Sequence, residues 1–256
     1  MTKATALGRV VSALVVVGAS CTGTEVGNPV AEPVSVSLTA RSSQGNVALA
    51  SGGDEDAGGS TIIVEQIWVS LGDARFVIDE DCSNRQSADR VVVDGPFVAD
   101  IATGPTALAE RLPQGEYCSV RVSLERAPAT DAGAPDALTG HSVLLRGHRA
   151  DGTPVVIRSR DKPDFVLRGR AESFRVEDAH HALFLAFDAA AWLEGVGIET
   201  ATPNAQGQIV IEPGTEDARL RTFETNLKRS LSLFKDGNAD GALAPSETTD
   251  ALAEPE

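Results

Sequence analysis

The side chains best suited to chemistry lie together near the end of the chain, in Asp236-Gly-Asn238-Ala-Asp240-Gly241-Ala242-Leu243-Ala-Pro-Ser-Glu247. Asp236, Asn238 and Asp240 alternate with small residues, and Glu247 follows after a short apolar-to-polar stretch. The segment contains no histidine or cysteine. Its donors are therefore carboxylates, one side-chain amide and backbone carbonyls, all hard oxygens. Calcium takes six to eight such ligands, and this set with one water can supply about seven.

The segment is similar to the calcium loop of EF-hand proteins at every diagnostic position. The resemblance implies that Asp236, Asn238 and Asp240 turn side-chain oxygens toward the ion. It implies that Gly241 makes the sharp turn with a positive φ and that Ala242 contributes its backbone carbonyl. Leu243 is the apolar residue that packs between the flanking helices, and Glu247 supplies the bidentate carboxylate. Ala244 has no side-chain oxygen, so water completes the shell there. Pro245 falls at the first residue of an exiting helix, a place that proline suits. The sequence departs from the family after that point. Ser246–Glu256 is short for an exiting helix and contains Pro255, and no second loop is present to pair with the first. A lone loop is weaker, and either pairs between two molecules or rests on the rest of the chain. The plainer reading of the same residues is a solvated Asp/Asn/Gly turn that ends a helix.

Other chemistry finds little support. His141, His148, His180 and His181 show no ligand spacing such as His-Glu-x-x-His. No Gly-x-Ser-x-Gly elbow and no Gly-rich phosphate loop occurs. Asp79, Glu80 and Asp81 cluster beside Cys82, but nothing selects a catalytic pair among them. Trp68 and Trp192 read either as core or as a sugar-stacking platform. The expectation is a protein that is not an enzyme.

The elements that must position the loop are mostly strands. Val34, Val36 and Leu38 alternate with polar residues, as do Val120, Val122 and Leu124, which is the pattern of a half-buried strand. Further candidates are Thr61–Leu71, Arg75–Asp79, Arg90–Val93, Val143–Arg146, Val155–Arg158, Phe165–Leu167, Ala182–Phe187 and Gln208–Ile211. Short strands separated by Gly, Pro and Asp clusters predict a mainly-β fold, an antiparallel β-sandwich over residues 33–213. Ser51–Ser60 is an acidic, glycine-rich loop. Ala127–Gly140 is a second loop, or a linker that would divide the sandwich into two modules. Asp188 reads as the N-cap of a short helix through Leu193. Residues 214–256 read as a C-terminal helix followed by the single EF-hand-like loop. Leu220, Phe223, Leu227, Leu231 and Phe234 form one stripe at helical period, which predicts a helix over 215–235 capped by Thr215.

The N-terminus indicates where the protein works. Lys3 and Arg9 precede the apolar run Val10–Val17, then Gly18, Ala19 and Ser20, then Cys21. Charge, short apolar core and small residues in that order form a secretory signal over residues 1–20, and the run is too short to span a bilayer. Small residues directly before Cys21 resemble the lipobox of bacterial lipoproteins, in which that cysteine is acylated. The family usually has an aliphatic residue where Gly18 stands, and cleavage near Ala19 or Ser20 would instead leave a soluble secreted protein. Residues 21–32 read as a tether, and Thr24-Glu-Val-Gly-Asn-Pro29 resembles a segment of uncharacterised bacterial envelope lipoproteins. The stretch Asp94-Gly-Pro-Phe-Val-Ala-Asp100 followed by Leu112-Pro-Gln-Gly-Glu-Tyr117 resembles a recurring domain of such lipoproteins, which implies a β-sandwich and no reaction. With Cys21 lipidated, Cys82 and Cys118 remain as a natural disulfide pair in an oxidising compartment.

Composition narrows the partners. Removing residues 1–20 removes two basic and no acidic residues, taking the formal charge from −15 to −17. So acidic a chain argues against nucleic acid and against docking by charge on anionic lipid, while it attracts cations. Hydrophobic content of 42% permits a packed core, and aromatic content of 4% makes that core chiefly aliphatic. The expectation is an envelope lipoprotein, in the outer membrane, that meets the membrane through the Cys21 lipid and binds one structural calcium. The alternative is a calcium-dependent surface module for a carbohydrate or protein partner.

Overall fold

The alternating segments form strands, and the computed structural model describes residues 34–43, 47–49, 62–78, 82, 90–129, 133–177 and 182–256, with Val47 and 109–111 in backbone alone. The signal, Cys21 and its tether, the Ser51–Ser60 loop, Asp79–Asp81 and the His180-His181 pair lie outside the described residues. In chain order the strands are β1 (Val34–Arg41), β2 (Val47–Leu49), β3 (Ile62–Val77), β4 (Arg90–Val93), β5 (Phe97–Asp100), β6 (Thr106–Leu112), β7 (Gly115–Tyr117) and β8 (Ser119–Leu124). They continue as β9 (Val143–Arg149), β10 (Pro154–Ser159), β11 (Asp164–Gly169), β12 (Phe174–Val176), β13 (Ala182–Asp188), β14 (Ile209–Ile211), β15 (Leu231–Lys235) and β16 (Ala253–Pro255). Two α-helices, α1 (Ala189–Leu193) and α2 (Asp217–Leu227), complete the regular structure.

The fold is mainly β, but its principal sheet is mixed. Fourteen strands join in one sheet along the path β14-β10-β9-β3-β8-β11-β16-β15-β13-β1-β6, with β2, β4 and β5 also on β3. Three pairings are parallel, β1 with β13, β10 with β14 and β2 with β3, so a wholly antiparallel arrangement is not what the chain adopts. Residues read as two strands, Thr61–Leu71 and Arg75–Asp79, form the single strand β3. Gly72 and Asp73 produce a register shift between Leu71 and Ala74 rather than a break. β8 and β9 follow one another along the same side of β3, because Ser70 N–H donates to the Ser142 carbonyl and the Ser70 carbonyl accepts from Glu125 N–H.

The sheet curls so that the residue after β5 joins β3 to β1. Ile101 N–H donates to the Ile67 carbonyl at 2.8 Å, and the Ile101 carbonyl accepts from Ala40 N–H at 3.0 Å, bridging β3 to β1. The Asp100 carboxylate fixes this corner by accepting from Ile67 N–H and Ala102 N–H. The enclosed core is largely aliphatic, with one file of aromatic rings through Phe165, Phe187, Trp192 and Phe223 in edge-to-face contact.

Residues 214–256 are not a separate helical appendage. α2 ends at Leu227, and Leu231–Lys235 is the strand β15, paired antiparallel with β13. The helical stripe misled because Leu231 and Phe234 are buried for different reasons. Leu231 and Leu233 point into the main core, while Phe234 points to the opposite face of the sheet. Thr215 does not cap α2; its hydroxyl donates to the Glu212 carbonyl, and Asp217 instead accepts from Gly214 N–H. Asp188 does cap α1, accepting from Ala190 and Ala191 N–H.

Cys82 and Cys118 are joined, with Cα atoms 5.3 Å apart. A crosslink over a loop of this size stabilises by roughly 3–4 kcal/mol on the chain-entropy model. Beside it Tyr117 is fully buried, stacked on Phe174 and edge-on to Phe76, and its hydroxyl donates to the Pro113 carbonyl at 2.7 Å. Burial raises the Tyr117 phenol from 10.0 to about 12. The folded state therefore holds this proton more tightly than the unfolded chain does. The stability it contributes is complete below about pH 10 and is lost as pH rises toward 12. Tyr117 is the chain's one tyrosine, so tyrosinate absorbance reads it alone. Absorbance should rise well above pH 10, and Tyr117→Phe should lose less stability than the parent across that window. At neutral pH the same variant should cost about 1 kcal/mol for the orphaned Pro113 carbonyl. A phenol titrating at its ordinary value in the folded protein would contradict this.

Candidate metal centre

The oxygen-rich loop leaves the end of β15 and returns through a 3₁₀ turn, Pro245–Thr249, to β16. A strand enters it and a single tight turn leaves it, so the helix-loop-helix frame of an EF-hand is not present. What replaces that frame is the outer face of the sheet. Phe184, Ala186 and Phe234 would face water there, yet all are buried in a small second cluster with Ala182 and Ala251, and Leu243 packs against it. Leu243 thus performs the packing expected of it, against β13 and β15 instead of between helices. Arg41 lies over the Phe234 ring, 5.1 Å from its centroid.

The loop is closed by its two outer carboxylates. Asp236, only 1% exposed, accepts from Ala239 N–H at 2.6 Å and from Gly241 N–H at 2.9 Å. Glu247 accepts from Gly237 N–H at 2.7 Å, Asn238 N–H at 3.2 Å and Ala244 N–H at 2.8 Å. Asp240 accepts from the Asn238 side-chain amide and from Ala242 N–H, and Asn238 Oδ1 accepts from Asp240 N–H. Gly241 takes φ 76°, the left-handed turn that its position requires. Ala239 also takes a positive φ, 61°, which strains a residue with a Cβ.

Among the described residues, no three His, Cys, Asp or Glu side chains gather as a ready-made metal cluster. The loop brings Asp236, Asn238, Asp240 and Glu247 into one turn of chain, with their oxygens engaged by backbone N–H groups. Glu247 Oε1 accepts two of these bonds and is saturated, while the other carboxylate oxygens of the loop accept one each and keep a further lone pair. The set is all oxygen, as calcium requires, and the Ala242 carbonyl lies in the same loop. Donors of this type would suit a hard cation rather than a soft metal.

Other candidate positions resolve as structure. Trp192 is fully buried, with Nε1 donating to Ser230 Oγ. Trp68 is half-buried in a third cluster with Leu138 and Leu144, under the 127–140 segment. His141 is buried and its Nδ1 meets the Thr139 carbonyl at 3.1 Å. Burial and then the Arg160 cation push it below the ordinary histidine range, against the opposing effect of that hydrogen bond. His148 pairs with Glu65 on the surface. A charged cleft of about 900 Å³ beside the β3 bulge, lined in part by Asp73, Arg75, Arg121, Glu125 and Arg126, is not foreshadowed by any motif. Its residues come from β3, β8 and β11 and from the connections after β4 and β8, and meet only in the fold. Arg75 is bound to Asp73, and Glu125 to Lys162, so much of its charge is already matched.

The two left-handed residues make opposite predictions for unfolding in urea. Ala239→Gly should stabilise by about 1 kcal/mol, and Gly241→Ala should destabilise by about as much. Leu243→Ala should cost about 1 kcal/mol by uncovering part of Phe184 and Phe234. Equal effects of the two backbone variants would mean the loop does not hold this conformation.

No protein-family model, curated protein or solved structure matches the chain, so the reading of the loop rests on its own residues and geometry.

Proposed function

We propose that this protein is a non-catalytic lipoprotein of the bacterial cell envelope, placed in the outer membrane by a lipid on Cys21, whose strands form a β-sandwich. Its loop Asp236–Glu247 binds one calcium ion, and the ion serves structure. The observation that carries this reading is the loop itself. Four oxygen-bearing side chains lie in ligand order around a left-handed glycine, between a buried Asp236 and a Glu247 that ties the loop's start to its end. In the ion-bound loop, Asp236, Asn238, Asp240, the Ala242 carbonyl and Glu247 hold the cation, and water completes the shell where Ala244 offers nothing.

A structural role follows from what the loop covers. It lies over Phe184 and Phe234, and burying a large apolar side chain is worth about 1.5–3 kcal/mol. A cation that neutralises the loop's carboxylates holds that cover in place. Outside the cytoplasm calcium is plentiful, so an affinity of roughly 10⁻⁴ to 10⁻³ M suffices. The alternative, a sugar-binding module, would need an exposed indole, and Trp192 is buried while Trp68 is half-buried.

Calorimetric titration of calcium into the protein tests the reading, beside Asp236→Ala and Glu247→Gln. One ion per chain is expected for the parent. Loss of binding in both variants, and loss of the calcium-dependent rise in melting temperature, should accompany it. No saturable binding up to millimolar calcium would reduce the loop to a turn.

A further inference from the structure

Residues 133–141 form a strap across the outer face of the sheet. Leu138 is fully buried there in one cluster with Leu144, and Trp68, Ala134 and Ala137 pack against it. The end of the strap is tied to Ala127, whose N–H donates to the His141 carbonyl at 2.9 Å and whose carbonyl accepts from Gly140 N–H at 3.0 Å. Two polar atoms on the face it covers work against this closure. Trp68 Nε1 and Ser70 Oγ are buried and, among the described residues, have no hydrogen-bond partner. Both residues alternate with Ile67, Val69 and Leu71 of the main core, so they share the outer face of β3. Leu138 holds the strap down, and the unpaired groups favour admitting water.

His141 stands where the strap is tied. Arg160 Nε, which can only donate, meets His141 Nε2 at 3.3 Å, and His141 Nδ1 meets the Thr139 carbonyl at 3.1 Å. Nε2 must therefore accept, and the ring is neutral with its proton on Nδ1. Arg126 Nε donates in turn to the Arg160 carbonyl at 3.2 Å. Arg126 directly precedes Ala127, so this relay of side-chain bonds clamps the same two pieces of chain that the Ala127 bonds join. A proton on Nε2 removes the acceptor and sets an imidazolium against a guanidinium. Burial, and then the Arg160 cation, hold the ring below the ordinary histidine value of 6.5, against the Thr139 hydrogen bond. The other charges that act on it, Arg158 and Glu212, oppose one another and are paired at 2.8 Å. Nearby on β10 and α2, Asp161 is bound to Lys228 and Glu224 to Ser159 Oγ, and Asp136 in the strap itself is exposed.

We propose that residues 133–141 are an acid-released strap over Trp68, with His141 as the group that takes the proton. With the ring neutral, the relay keeps the strap tied to Ala127. With the ring protonated, Arg160 turns away, the Ala127 bonds loosen, and Trp68 and Ser70 meet water. The open strap binds the proton more readily than the closed one. Closure is therefore at full strength well above pH 6.5 and weakens as pH falls below it.

Hydrogen exchange in the full chain tests this, corrected for the pH dependence of chemical exchange and followed beside NMR of the His141 ring. The amides read are Ala127 and Gly140 at the tie, and Cys118, which donates to the Val77 carbonyl away from the strap. Protection at Ala127 and Gly140 should fall by up to about tenfold between about pH 7.5 and about pH 5.5, the limit set by an open-state histidine of ordinary pKa. Protection at Cys118 should hold. His141→Gln keeps an acceptor for Arg160 and takes no proton, so it should abolish the fall. Arg160→Gln should shrink the fall and raise the pH at which the ring titrates. Constant protection at Ala127 and Gly140 in the parent, an equal fall at Cys118, or an undiminished fall in either variant would overturn the strap.

Discussion

Backbone pairing along β3 is the constraint on which the remaining architecture depends. Ile62–Val77 carries β9 and then β8 along one side, and β2, β5 and β4 along the other. A strand of sixteen residues cannot run flat through a domain of this size. The register shift at Gly72–Asp73 bends it, and the strands that follow it on either side inherit the bend. Gly95 is held close over this point; a Cβ there would lie 1.4 Å from the Gly72 carbonyl oxygen, so no other residue fits without moving the backbone. The curl brings β1 back toward β3, where Ile101 joins them through hydrogen bonds on both sides.

A sheet curled around one core still has an outer face, and here that face is apolar in two places. Phe184 and Phe234 form one patch, and Trp68 and Leu144 belong to the other. Each patch is covered by a long connection instead of by water. The segment 127–140 brings Leu138 to the second, and the oxygen-rich loop brings Leu243 and Ala251 to the first. The two connections therefore do the work that a helical layer does in other mainly-β proteins. A loop used as a cover needs its own source of order, because it has few ladder hydrogen bonds. In the oxygen-rich loop that order comes from Asp236 and Glu247 binding backbone N–H groups.

The same logic explains motifs that suggested a family and no chemistry. Asp100 accepts from Ile67 and Ala102 N–H, which fixes the corner at Ile101. Tyr117 reaches back to the Pro113 carbonyl, and Pro113 and Gly115 make the turn that permits it. The bonds from Ala102 N–H to Asp100 and from Tyr117 to Pro113 are local, which is why their spacing is legible in a sequence, whereas the bond from Ile67 N–H joins residues 33 apart and exists only in the fold.

What the sequence determined by itself was whatever is decided within a few residues. Period-two alternation located β1 and β8 because side-chain direction in a strand depends only on the backbone. The cap at Asp188 and the order of oxygen donors from Asp236 to Glu247 were legible for the same reason. The tertiary structure decided everything that depends on a partner. It made Leu231–Lys235 a strand, because β13 and β16 offer a ladder there and a helix would leave that side of each unpaired. It made the sheet mixed by returning β13 beside β1 and β14 beside β10 in parallel. It also set the oxygen-rich loop on Phe184 and Phe234. Apolar residues on the outer face of a strand look in sequence like any other buried position, and only the fold supplies what covers them.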